Sequence, residues 1–143
     1  WAHDGRHLLY LQDTGGDENW RLHDVDLQTM QRRDLTPFEG VRAELIAAEK
    51  KFPTDILVGL NRDNPQLHDV YRLDLKTGDL AKLIENPGYA GWLADEDMVV
   101  RGAISPLPDG GFEVGPSQPQ GQWKPFERKA GLHGLIFPDP QRA

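Results

Sequence analysis

Apolar residues in this chain gather in short runs separated by turn-forming residues, with no long helical stripe. Leu8–Leu11 and Ile56–Leu60 are consecutive apolar runs of strand length, and predict strands covered on both faces. Trp20–Leu27 and Val70–Leu75 instead alternate apolar with polar, the period-two pattern of a strand with one oily side. Between the members of each pair lie Asp13–Asn19 and Asn61–Gln66, rich in Gly, Asp and Asn and therefore predicted loops. A tight turn and a last strand, Arg32–Thr36 or Leu80–Ile84, close each group. Lys76-Thr77-Gly78-Asp79 suits a hairpin, with glycine where the backbone needs a positive φ. Met30 stands at the matching place in the first group, where a left-handed backbone would cost about 1 kcal/mol.

The two groups are copies of one unit. The string Leu-His-Asp-Val occurs at Leu22 and again at Leu67, which suggests a spacing of 45 (22 against 67). Other features recur at 48: Asp26-Leu27-x-Thr29 on Asp74-Leu75-x-Thr77, Leu9 on Leu57, and Gly40 on Gly88. Strand register favours 48, since His23, Val25 and Leu27 then fall on Tyr71, Leu73 and Leu75 and keep one apolar face. An odd shift would exchange the faces, so the repeated His-Asp string is a coincidence. A third unit starts at Gly91, with Trp92 to Asp95 echoing Trp1 to Asp4, a buried strand over Met98–Ile104, and short strands over Phe112–Val114 and Gln122–Glu127. Seven of the eleven prolines lie from Pro106 onward, and Gly115–Gly121 reads as loop.

The expected fold is therefore all-β: a partial β-propeller of about three blades with up to four antiparallel strands each, the third irregular. Its blade-like units fall at about 1–42, 43–90 and 91–143. Propellers usually close with four to eight blades, so three would leave two apolar faces open. Such a piece calls for further sequence, for a second copy of the chain, or for a strained or partly open form. The start on Trp1, inside a motif, also suggests part of a longer product.

Composition narrows the chemistry. A formal charge of −7 over 143 residues argues against a nucleic-acid surface, which needs clustered Lys and Arg. The absence of cysteine excludes disulfides, zinc thiolates and thiol nucleophiles. No apolar run is long enough to span a bilayer, and a cytoplasmic location is expected. Ser105 and Ser117, the two serines, lack the Gly-x-Ser-x-Gly elbow of a hydrolase nucleophile. The pairs His3-Asp4, His23-Asp24 and His68-Asp69 alternate across a strand and cannot share one ion without a bulge. His23, on the apolar face, reads as a hydrogen-bonded structural histidine, and Trp1 and Trp92 as matched packing residues between blades. No cofactor motif is present. Asp17 and Glu18, in the loop Asp13–Asn19, are the candidate binding residues: a pair of carboxylates projecting from a propeller loop could hold a cation such as a peptide N-terminus.

Trp1–Tyr10, read W-A-H-D-G-R-H-L-L-Y, resembles the W-S-P-D-G-K-x-L-x-Y motif of TolB-like (PD40, WD40-like) propeller blades. Leu9–Trp20, Asp34–Val41 and Asp69–Gly78 resemble the N-terminal propeller of prolyl oligopeptidase-family serine peptidases, in the dipeptidyl aminopeptidase and acylaminoacyl peptidase branch. The resemblance implies a propeller seated over an α/β-hydrolase domain, admitting only small peptides. That domain, or another copy of the chain, is the expected partner. Catalytic Ser, Asp and His would belong to the hydrolase domain, and none is carried over to this chain.

Overall fold

The computed structural model describes residues 1–116. These form three antiparallel sheets, with no helix among the described residues. The first sheet holds β1 (His7–Gln12), β2 (Arg21–Asp26) and β3 (Arg32–Asp34) in that order. The second holds β4 (Ala43–Ala47), β5 (Asp55–Asn64), β6 (Leu67–Asp74) and β7 (Leu80–Ile84), also in chain order. The third runs β8 (Gly91–Ala94), β9 (Val100–Pro106) and β10 (Phe112–Pro116). It has a register shift where β8 meets β9, and the second sheet has one in each of its three strand pairs. The sheets are open, and together they make a partial propeller.

Pairing partners confirm the 48-residue spacing. His23 opposes Tyr10 and Asp34, and Tyr71 opposes Val58 and Lys82, each partner displaced by 48. The turns agree bond for bond: Met30 N donates to Asp26 O and Gly78 N to Asp74 O, both at 2.7 Å. The Asp26 and Asp74 carboxylates each accept from the two amides that follow in the turn, Gln28 and Thr29, or Lys76 and Thr77. Met30 adopts φ 59°, where Gly78 has φ 77°. The copied hydrogen bonds thus hold a methionine in glycine's conformation.

Each seam between sheets has its own core. Ile56, Val58, Leu60, Tyr71, Leu73 and Leu75 pack on Ala2, Leu22 and Leu35 of the first unit. On its other side, the second sheet's Leu57 and Val70 meet Trp92, Met98, Val100 and Ala103. The run Ile56–Leu60 is covered on both faces because it has a sheet on either side. The first seam also carries charge. Asp24 is fully buried and receives the Arg33 guanidinium, whose Nη2 goes on to donate to Leu75 O in the next sheet at 2.6 Å. At the second seam Trp92 Nε1 donates to His68 O at 2.7 Å.

Several details depart from the sequence expectations. Leu8–Leu11 does form a strand, yet it is only half-buried or exposed, because no described sheet covers its outer face and no described inner strand flanks it. Trp1 is 75% exposed, whereas Trp92, its motif counterpart, is 7% exposed in the second core. Trp92 packs against the sheet that precedes its own, and no described sheet precedes that of Trp1. His23 stacks on Tyr10, with centroids 5.3 Å apart, and its ring makes no hydrogen bond among the described residues. β5 extends to Asn64, through most of the expected loop, and β9 starts at Val100 because Met98 sits in a turn at φ 59°. β10 runs on to Pro116, into the expected loop. The expected strand Gln122–Glu127 lies outside the described residues.

Candidate functional site

Antiparallel order decides where the loops gather. β4 begins opposite Leu60, near the end of β5, and β8 begins opposite Ile104, near the end of β9. The connections 13–20, 35–42, 65–66, 85–90 and 107–111 therefore share one end of the sheets. Cross-links bind this end together: Ala43 N donates to Trp20 O at 2.7 Å, Arg42 N to Asn61 Oδ1 at 2.6 Å, and Asn86 Nδ2 to His68 O at 3.0 Å. Asp13, Asp17, Glu18, Glu39, Glu85 and Asp109 stand in these connections against one cation, Arg42, and the end of β5 adds Arg62 and Asp63. The Arg62 guanidinium lies 4.0 Å over the Phe38 ring. The surplus of carboxylates on these loops favours cationic groups beside them.

Asp17 and Glu18 are adjacent and exposed on the β1–β2 connection, but they do different work. The Asp17 carboxylate organises its own loop, accepting from Asn19 N at 3.0 Å and from Thr14 N at 3.2 Å. Those two amides hold its carboxyl below the usual range, so it stays ionised. Glu18 has φ 58°, a strained setting for a side-chain-bearing residue, and its amide points to Asp13 Oδ2 at 3.4 Å. Its own carboxylate has no hydrogen-bond partner among the described residues. Of the pair, Glu18 is the free anion and Asp17 the brace. Among the described residues, no group of three His, Asp or Glu side chains is placed to hold a metal ion.

Beneath this loop lies an open groove of about 460 Å³, lined by Leu11, Trp20, Arg42, Ala43, Glu44 and Leu45. Leu11 and Trp20 are the two stems of the loop carrying Asp17 and Glu18, and the remaining residues lie on or just before β4. The groove thus belongs to two sheets at once. Beside Glu44, His68 Nε2 sits 3.6 Å from Glu44 Oε1, is buried, and has no hydrogen-bond partner among the described residues. Burial of the ring pushes its pKa down, with Glu44 opposing. Sequence reading identified Asp17 and Glu18 but neither Arg42 nor Glu44. Their only sequence signal was the i, i+2 spacing that puts both on one side of an extended chain.

Sheets stacked through apolar faces, with their connecting loops collected at one end, define a β-propeller, represented here by three blades that do not close a ring. No known family profile matches the chain. Its fold is similar to the crystal structure of TolB from Acinetobacter baumannii, with a TM-score of 0.57 over 85% of this chain and 30% of that one, at 18% identity. In sequence it is 41% identical over 128 residues to dipeptidyl aminopeptidase BIII of Pseudoxanthomonas mexicana, covering 89% of this chain and 19% of that protein. It is 29% identical over 110 residues to dipeptidyl peptidase family member 6 of Caenorhabditis elegans, covering 72% of this chain and 15% of that protein. The chain has a TolB-like propeller fold and is homologous to part of a dipeptidyl aminopeptidase, spanning under a fifth of the length of these relatives. The resemblance carried by the blade motifs is borne out.

Proposed function

We propose that this chain is the non-catalytic propeller segment of a serine peptidase, limiting substrate by size and forming part of the wall of the active-site cavity. The observation that carries the reading is the 41% identity to dipeptidyl aminopeptidase BIII across 89% of the chain. The blade-like units are 1–42, 43–90 and 91–143, the compartment is the cytoplasm, and the principal partner is the hydrolase domain of the same protein. Asp17 and Glu18 present carboxylates to the free amino group of a peptide, Glu18 directly and Asp17 by shaping the loop. The acidic surplus at their end of the sheets supports this.

The chain alone hydrolyses neither aminoacyl nor dipeptidyl p-nitroanilides, since Ser105 and Ser117 stand in no nucleophile motif. In the longer peptidase, Glu18→Gln raises KM for a dipeptidyl p-nitroanilide with a free amine about tenfold and leaves kcat nearly unchanged. Turnover by the purified chain, or an unchanged KM in the variant, defeats the respective part of the reading.

A second reading, a self-assembling or protein-binding TolB-like module, draws support from the uncovered outer face of the first sheet. The downstream reading frame separates the two. A Gly-x-Ser-x-Gly motif there belongs to the peptidase, and a stop after Ala143 belongs to the module.

A further inference from the structure

Seven of the twelve Lys and Arg among the described residues pair with a carboxylate. Arg6 pairs with Asp26, Arg21 with Asp34, Arg33 with Asp24, Arg72 with Asp55, and Arg101 with Asp95. Lys51 and Lys82 are paired likewise. Arg42, like Arg32, Lys50, Arg62 and Lys76, makes no ion pair among the described residues, and of these five it is the one that lines the groove. Glu44, two residues on and lining the same groove, does not take it. The nearest cation-forming group to Glu44 is His68, across on β6. The groove therefore combines an unclaimed guanidinium with an apolar wall of Leu11, Trp20 and Leu45.

We infer that this groove binds the carboxylate end of a short peptide, with Arg42 on the terminal carboxylate and the last apolar side chain against Leu11, Trp20 and Leu45. The fit is one of complementary charge and character. Guanidinium and carboxylate match in planar geometry, and a groove of about 460 Å³ has room for one residue with a large side chain. Glu44 works against the ligand. It repels the incoming carboxylate, while its position opposite His68 leaves the Arg42 guanidinium unneutralised. The inference deepens the peptidase reading by assigning the wall a grip on the substrate's far end, opposite in sign to the one at Glu18.

The test is binding to the 143-residue chain, read by nuclear magnetic resonance at the Trp20 indole N–H, assigned with Trp20→Phe. The probes are N-acetyl-phenylalaninate and N-acetyl-phenylalaninamide, which share a side chain and differ in the charge. The carboxylate binds about fivefold tighter than the amide, the size of one exposed ion pair. Arg42→Gln abolishes that preference, Arg42→Lys keeps part of it, and Glu44→Gln widens it. Arg42 is exposed, so a dispersed spectrum in each variant checks that the fold is intact. Equal affinities in the parent chain, a preference that survives Arg42→Gln, or shifts that bypass Trp20 overturn the inference. Cleavage by the longer enzyme without Arg42-dependent binding sinks this inference alone. Arg42-dependent binding without cleavage sinks the peptidase reading alone.

Discussion

At the scale of single residues, His68 shows how burial writes pH into the molecule. Its ring lies behind Glu44 with Nε2 unpaired, and desolvation lowers its pKa from the unfolded value of about 6.5. The sign follows from linkage. Above that value the ring is neutral in both states and nothing is lost. As pH falls below it, the unfolded chain takes up the proton first, so stability drops until the folded ring titrates too. His68→Gln removes this contribution. Between pH 7 and pH 5 the urea midpoint of the variant falls less steeply than that of the parent chain, and parallel slopes would refute the assignment. Arg42, Asp69 and Glu44 are the charges facing the ring, and only Glu44 has carboxylate oxygen within 4 Å of it.

At the scale of elements, the β2–β3 turn carries a strain that its copy between β6 and β7 does not. Met30 is 69% exposed, so its side chain contributes little packing, while its backbone holds φ 59°. Met30→Gly raises stability by about 0.5–1 kcal/mol, and Gly78→Ala lowers it by a similar amount, as read by urea denaturation. This turn was legible before the structure, because Asp-Leu-x-Thr at Asp26 and Asp74 fixed both the spacing and the place of the positive φ. The doubled Leu-His-Asp-Val was legible as a coincidence for the same reason, register. The inner strands β4 and β8 were not. Ala43–Ala47 and Gly91–Ala94 are short, and their two sides face different neighbours, so no single period marks them. The groove was equally hidden, since Trp20 and Arg42 meet only when two sheets are stacked. Asp17 and Glu18 were found as a pair, but the division of labour between them depends on two loop amides that no sequence pattern displays.

At the scale of the whole molecule, burial depends on position in the array. Val25 and Leu73 occupy the same place in the repeat, yet Leu73 is fully buried in the first seam and Val25 lies half-buried on the open face of the first sheet. One substitution therefore has two outcomes. Leu73→Asp puts an unpaired carboxylate into the core and costs more than about 4 kcal/mol. Val25→Asp costs under about 1 kcal/mol and reduces concentration-dependent association, followed by light scattering. Equal destabilisation by the two would mean that the outer face of the first sheet is already covered.

The Arg33 guanidinium that joins Asp24 to Leu75 O has a further consequence. Its repeat positions in the second sheet are held by Arg72 and Ala81, so the same fastening cannot form between the second and third sheets. These blades are not interchangeable modules. A chimaera that transplanted the second into the place of the first would carry over every backbone hydrogen bond of the hairpin turn and still lack the bolt.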